Sequence, residues 1–190
     1  MNYFGLICAR GGSKGVLYKN IKKINNHPLI AWSINFGKIN KKLKRLIVST
    51  EDKDIKKISK KYGAEILFDR PKELSLDNTP EWLVWKHTVN FLETNGIQLD
   101  ALVILPTTAP LRLQKDINNA MDLFEEGGCD AVISVKHASR NPYFNMTKLN
   151  ADNFSEILLK SDTNIFNRQN APQIYDMTTV VYIVSVNHIK

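Results

Sequence analysis

The sequence predicts a three-layer α/β fold on a mostly parallel sheet, and three observations carry that prediction. Short apolar, β-rich runs recur along the 190 residues, and segments of helical period lie between most of them. The runs are also almost continuously apolar rather than alternating, as strands covered by helices on both faces require.

In chain order the strand runs are YFGLICA from Tyr3, RLIVST from Arg45, AEILF from Ala64, ALVILP from Ala101, DAVISV from Asp130 and TVVYIVSV from Thr179. Helical period covers 28–39, 53–62, 80–94 and 115–126. In the second of these, Ile55 and Ile58 share one face while lysines fill the other, which predicts a solvated amphipathic helix. The third opens at DNTP, so Asp77 or Asn78 is the expected cap ahead of Pro80, and Trp82 and Trp85, three apart, are expected in the core. The alternation stops between Lys136 and Tyr175, a polar, Asn-rich stretch too long for a structureless loop. We read 1–190 as one domain with an arm or insertion at about 136–175.

Composition narrows the function classes. Hydrophobic residues at 43% and charged residues at 24% suit a globular protein. The net charge of +7 permits a polyanionic partner, but the lysine-rich runs at 38–45 and 53–61 lack the interleaved aromatic residues that stack on bases, which argues against nucleic acid. There is no signal-peptide pattern and no apolar stretch long enough to span a bilayer, so the expectation is a cytoplasmic protein away from membranes. Cys8 and Cys129 have no partners at metal spacing and read as buried or incidental thiols. His27, His87, His137 and His188 are likewise scattered, and no Ser/His/Asp set points to nucleophilic hydrolysis.

The chemistry gathers in CARGGSKGVLYKN, directly after the first strand. In doubly wound sheets ligands bind at the carboxyl ends of strands, which is where this loop falls. Glycines let backbone N–H groups turn toward an anion, while Arg10, Lys14 and Lys19 supply charge and Ser13 a hydroxyl. A triphosphate would satisfy all of them. Neither G-x-x-x-x-G-K-[ST] nor G-x-G-x-x-G is present.

ARGGSKGVLYKNI (9–21) resembles the signature of the acylneuraminate cytidylyltransferases, the CMP-sialic acid synthetases. VSTED (48–52), YGAEILFDRPKELSLD (62–77), PTTAPLR (106–112) and RQNAPQIY (168–175) match in the same order. The resemblance, closest to the legionaminic-acid branch, implies a Rossmann-like nucleotidyltransferase fold with a protruding dimerisation arm, in a homodimer whose arm reaches the partner's active site. It also implies an activity in which a nonulosonic, sialic-acid-like sugar attacks the α-phosphate of CTP, with Mg²⁺, to give the CMP-sugar and pyrophosphate. By matching position, Arg10 and Lys14 would be catalytic. Ala9, Gly11, Gly12, Ser13, Lys19, Asn20 and Arg70 would bind nucleotide, and Thr108, Arg168, Gln169 and Tyr175 would bind the sugar.

Three departures qualify this. Pro106 stands where the family has a sugar-facing glutamine, which turns expectation from N-acetylneuraminate toward legionaminic or pseudaminic acid. DMTTVVYI follows Tyr175 in place of the usual N-G-A-I-Y-I type of segment. The family's aspartate-rich metal motif is not found within 1–190, so metal ligands are expected beyond Lys190. A ketodeoxyoctonate cytidylyltransferase and a catalytically silent nucleotide-binding or dimerisation module remain the alternatives.

Overall fold

The computed structural model describes residues 1–161 and 165–190. They fall into two units, Met1–Ser134 with Thr179–Lys190, and Val135–Thr178.

In the first unit the chain runs through β1 (Tyr3–Cys8), a small hairpin of β2 (Lys23–Ile24) and β3 (His27–Pro28), α1 (Leu29–Ile39), β4 (Leu43–Ser49) and α2 (Lys53–Tyr62). It continues through α3 (Glu81–Thr94), β5 (Ala101–Ile104), α4 (Gln114–Glu125) and β6 (Ala131–His137), whose last three residues belong to the second unit. Between the two short strands β2 and β3, Asn25 and Asn26 take φ of 47° and 64°, a left-handed pair that Asn tolerates best after Gly.

Two further short strands, β7 (Thr147–Leu149) and β8 (Ser155–Ile157), belong to the second unit. The chain closes with β9 (Tyr175–Ser185) and α5 (Val186–Ile189). The main sheet has the order β4-β1-β5-β9-β6.

Strand β1 pairs in parallel with both β4 and β5, as the apolar runs predict, but β9 runs antiparallel to β5. Parallel neighbours need a crossover, and helices supply it between β1, β4 and β5; no such helix precedes β9 among the described residues. The AEILF run is not a strand. Glu65 makes a single bridge to β4, its N–H donating to Leu46 O (2.8 Å) and its O accepting from Val48 N (2.9 Å), before the chain leaves the sheet edge.

Period-two alternation in β1 divides the core into two layers. Tyr3 and Ile7 face Ile30, Ile34, Ile117 and Met121 on one side, while Phe4 and Leu6 face Val89, Leu92 and Ile189 on the other. Each fully buried branched side chain contributes about 1.5–3 kcal/mol. Helix α2 forms as its pattern predicts, with Ile55 buried and its lysines outward. Asp52 caps it by accepting from Asp54 N (2.9 Å) and Ile55 N (2.8 Å), and Gly63 ends it at φ 89°.

Two expectations for α3 fail. Neither Asp77 nor Asn78 caps it: Pro80 stands at the N-cap without a side-chain bond, because the Asp77 carboxylate is engaged elsewhere. Trp82 is 51% exposed, and of the pair only Trp85 packs on the core. A three-residue step is 60° short of a full turn, enough to carry one ring off the buried stripe. Of the cysteines, Cys8 is half-buried and Cys129 exposed.

His87 of α3 sits edge-on to Phe68 (4.8 Å between centroids), and its Nδ1 has no hydrogen-bond partner among the described residues. Burial, reinforced by the Arg70 charge, holds the imidazole below its ordinary range. The folded state therefore favours neutral His87, and below about pH 6.5 the unfolded chain binds more protons. Stability from this group is complete above that pH and declines as pH falls through the depressed folded value. The melting temperature is expected to drop between pH 7.5 and 5.5, and His87→Leu should flatten that drop; an equal slope in the variant would refute the assignment.

In the second unit, the Asn-rich composition resolves into local turns. Asn150 Oδ1 accepts from Asp152 N (3.0 Å) and Phe154 N (2.9 Å) to close the β7–β8 hairpin. Asn141 does the same for Tyr143 N (2.9 Å), and Asn167 for Asn170 N (3.0 Å). No helix among the described residues is long and apolar enough to cross a membrane.

Candidate active site

The first unit holds a cleft of about 630 Å³ whose lining includes Arg10, Ser13, Lys14, Lys19, Asn20, Arg70 and Thr108. It lies beyond the carboxyl end of β1, where the sheet predicts a ligand. Seven of the thirteen candidate residues thus share one cavity.

The glycine loop is built by side chains from the ends of neighbouring elements. Ala9 is fully buried and prolongs β1, its N–H donating to Ser49 O (3.1 Å). Gly11 N–H donates to Glu51 Oε1 (2.8 Å), and Glu51 Oε2 accepts from Ser75 Oγ (2.9 Å), so one carboxylate ties the loop to the 72–75 turn. A Cβ on Gly11 would lie 2.5 Å from Asp52 Oδ2, so a larger residue there would have to push aside the side chain that caps α2. Ser13 N–H turns back onto Gly11 O (2.9 Å), while exposed Gly12 meets nothing within 4 Å of its ideal Cβ.

Arg10 and Lys14 converge on a single anion. Arg10 Nη2 pairs with Asp77 Oδ1 at 2.8 Å, Arg10 Nη1 donates to Leu76 O at 2.7 Å, and Lys14 Nζ pairs with Asp77 Oδ2. Lys14's hydrogen bond, with the charges of both cations, holds the Asp77 carboxyl below the usual carboxylate range. The cap residue expected from DNTP is therefore the counterion of the two cations. A guanidinium and an ammonium that grip one carboxylate together have the geometry to grip phosphate oxygens.

Asn20 is 4% exposed and pins two loops: its Nδ2 donates to Arg10 O (2.9 Å), and its Oδ1 accepts from Thr107 Oγ1 (2.8 Å). The PTTAPLR loop is fixed in turn by the Pro106 carbonyl, which accepts from Ser33 Oγ (3.1 Å) and from the buried Arg112. Burial without a carboxylate partner lowers Arg112 to about 10. Thr108 Oγ1 bonds Thr179 Oγ1 at 3.0 Å. Arg70, 5% exposed, pairs with neither Glu73 nor Asp77; its Nε donates to Ser49 Oγ (3.1 Å) and its Nη2 to Ser49 O.

Past Arg70 the cleft wall carries Cys8, Glu81, Val84 and Tyr182. Burial, then the neighbouring Glu81, pushes the Cys8 thiol up, so it is no nucleophile at neutral pH.

Arg168, Gln169 and Tyr175 lie in the second unit. Arg168 lines a separate cavity of about 280 Å³ with His137, Arg140 and Asn141, and its Nη2 reaches Ala138 O at 3.5 Å. Gln169 sits in the exposed 168–170 turn, and the Tyr175 ring lies 5.1 Å from His137. Sequence reasoning missed Glu51, Glu81, Thr107 and Tyr182. Glu51 stood in the VSTED motif at a strand's carboxyl end, a signal that could have found it.

Among known proteins, the chain is 38% identical over 178 residues to post-translational flagellin modification protein B of Campylobacter coli, covering 93% of this chain and 74% of that one. It is 36% identical over 178 residues to the CMP-N,N'-diacetyllegionaminic acid synthase of Campylobacter jejuni, with the same coverages. Among solved structures, CMP:2-keto-3-deoxy-manno-octonic acid synthetase complexed with CTP superposes with a TM-score of 0.72 at 13% identity, covering 100% of this chain and 76% of that one, which supports the fold. The family model described as cytidylyltransferase matches residues 4–189, and with these relatives it establishes that the chain belongs to the cytidylyltransferase family of nucleotidyltransferases.

Proposed function

We propose that the chain activates a nonulosonic acid of the legionaminic or pseudaminic type with CTP. The observation that carries this reading is the convergence of Arg10 and Lys14 on one anion in the cleft beyond β1. In the reaction the anomeric oxygen of the sugar forms a bond to the α-phosphorus. The bond from that phosphorus to the β-phosphate oxygen breaks, pyrophosphate leaves, and the sugar hydroxyl proton passes to solvent. Such a transfer depends on positioning and on neutralising charge on the leaving group, and Arg10 and Lys14 supply that charge by exchanging Asp77 for phosphate oxygens. In this reading Ser13, Lys19 and Arg70 contact nucleotide from the cleft wall, while Ala9, Gly11, Gly12 and Asn20 shape the loop. By matching position Thr108 serves the sugar acid from the cleft, while Arg168, Gln169 and Tyr175 of the second unit would serve the partner protomer's sugar acid in a homodimer, with the Arg168 guanidinium suited to a bidentate grip on its carboxylate.

Mg²⁺ fits this chemistry, but no group of three or more His, Cys, Asp and Glu side chains that could hold it is found among the described residues. When bound, Mg²⁺ would be held in part by the triphosphate oxygens and would neutralise charge on them. The reading is tested by pyrophosphate release from CTP with N-acetylneuraminic, legionaminic, pseudaminic and ketodeoxyoctonic acids. Turnover is expected with legionaminic or pseudaminic acid; release with none of the four would overturn it, and release with ketodeoxyoctonic acid alone would reassign the substrate.

A further inference from the structure

Building on the cytidylyl-transfer reading, we propose that Glu81 selects cytosine over uracil by accepting a hydrogen bond from the exocyclic amino group of the base. Glu81 is the first residue of α3 and lines the same cleft as Arg10 and Lys14, yet it takes no part in their ion pairs. Its Oε1 accepts from Trp85 Nε1 at 3.2 Å, and its carboxylate lies beside the Cys8 thiol at the end of β1. The indole bond holds the carboxylate on the cleft wall.

A carboxylate without a paired cation repels a triphosphate, whereas Arg10 and Lys14 suit it once they exchange Asp77 for phosphate oxygens. Charge therefore sets a polarity along the cleft: phosphates toward the two cations, and an uncharged, hydrogen-donating part of the nucleotide toward Glu81. Arg70 lines the same cleft as Glu81 and gives its wall a donor. Its Nε and Nη2 are taken by Ser49, which leaves Nη1 for a ligand. A donor and an acceptor on one cleft complement the cytosine edge, where O2 and N3 accept and the amino group donates. Uracil presents a carbonyl in place of that amino group, and an ionised carboxylate has no proton to offer it. Leaving such a pair of acceptors facing each other is how a site rejects the wrong base.

The test compares the wild-type chain with Glu81→Gln by calorimetric binding of CTP and UTP, beside KM for the sugar acid. Glutamine keeps the size and the Trp85 contact but can turn its amide N–H₂ toward the uracil carbonyl. The CTP-to-UTP affinity ratio is expected to fall by at least about tenfold. Glu81→Ala should lose CTP affinity while UTP affinity holds or rises, whereas a folding defect would lower both. An unchanged ratio, or a change confined to KM for the sugar acid, overturns the proposal while leaving cytidylyl transfer standing. A wild-type chain that binds neither nucleotide overturns both.

Discussion

Arg10→Ala is expected to lower kcat/KM for CTP by about two to three orders of magnitude, the usual cost of removing one preorganised donor from a charge-stabilising site. The side chain meets Asp77 and Leu76 and lines the cleft, so its loss removes a cation that developing pyrophosphate charge requires. Folding should be almost unaffected, because the pair it makes with Asp77 is partly exposed and such pairs stabilise little. Lys14→Ala should follow the same pattern with a smaller loss, its side chain being 82% exposed and free to sample other positions. Since both cations share Asp77, the double variant should lose less than the product of the two single losses. Steady-state kinetics with CTP, beside thermal melts, would decide; Arg10→Ala with wild-type kcat/KM would remove Arg10 from the chemistry.

Much of this was legible before the structure, for reasons that particular residues make plain. Strands buried on both faces have to be apolar throughout, so β1, β4 and β5 announce themselves, and α2 carries its cap, stripe and terminal glycine within twelve residues. The spacing of glycines and cations after β1 likewise pointed to an anion cleft. Strand direction was less legible: β9 reads as apolar as its neighbours, and only the connection before it decides that it runs antiparallel. Least legible were polar side chains whose partners are remote in sequence. Asp77 has the right chemistry to cap α3, and local spacing favoured that role; two cations more than sixty residues upstream claim it instead. Asn20 and Thr107 are 87 residues apart, and no periodicity predicts their bond.

That bond makes Asn20 the second residue whose loss should be costly, and for a different reason from Arg10. Asn20→Ala leaves the Arg10 carbonyl and the Thr107 hydroxyl without partners in a spot that is 4% exposed. Each orphaned buried group costs about 1–3 kcal/mol, so the two together should lower the melting temperature by roughly 4–24 °C. Activity should fall as well, by about tenfold or more, because the backbone that aims Arg10 is no longer tied to the PTTAPLR loop and small misplacements are expensive in transfer chemistry. Two companion variants separate the contributions. Thr107→Val breaks one of the two bonds and spares the Arg10 carbonyl, so it should be the mildest. Asn20→Asp keeps an acceptor for Thr107 but sets a carboxylate against the Arg10 carbonyl, on the wall where a triphosphate would pass. It should therefore depress CTP turnover more than Asn20→Ala does, and recover in part as pH falls toward the carboxyl range. Kinetics of the three variants should rank Asp below Ala at position 20, and both below Thr107→Val. If Asn20→Ala melted and turned over like wild type, the loop would be held by something other than this pin, and the aim of Arg10 would need another source.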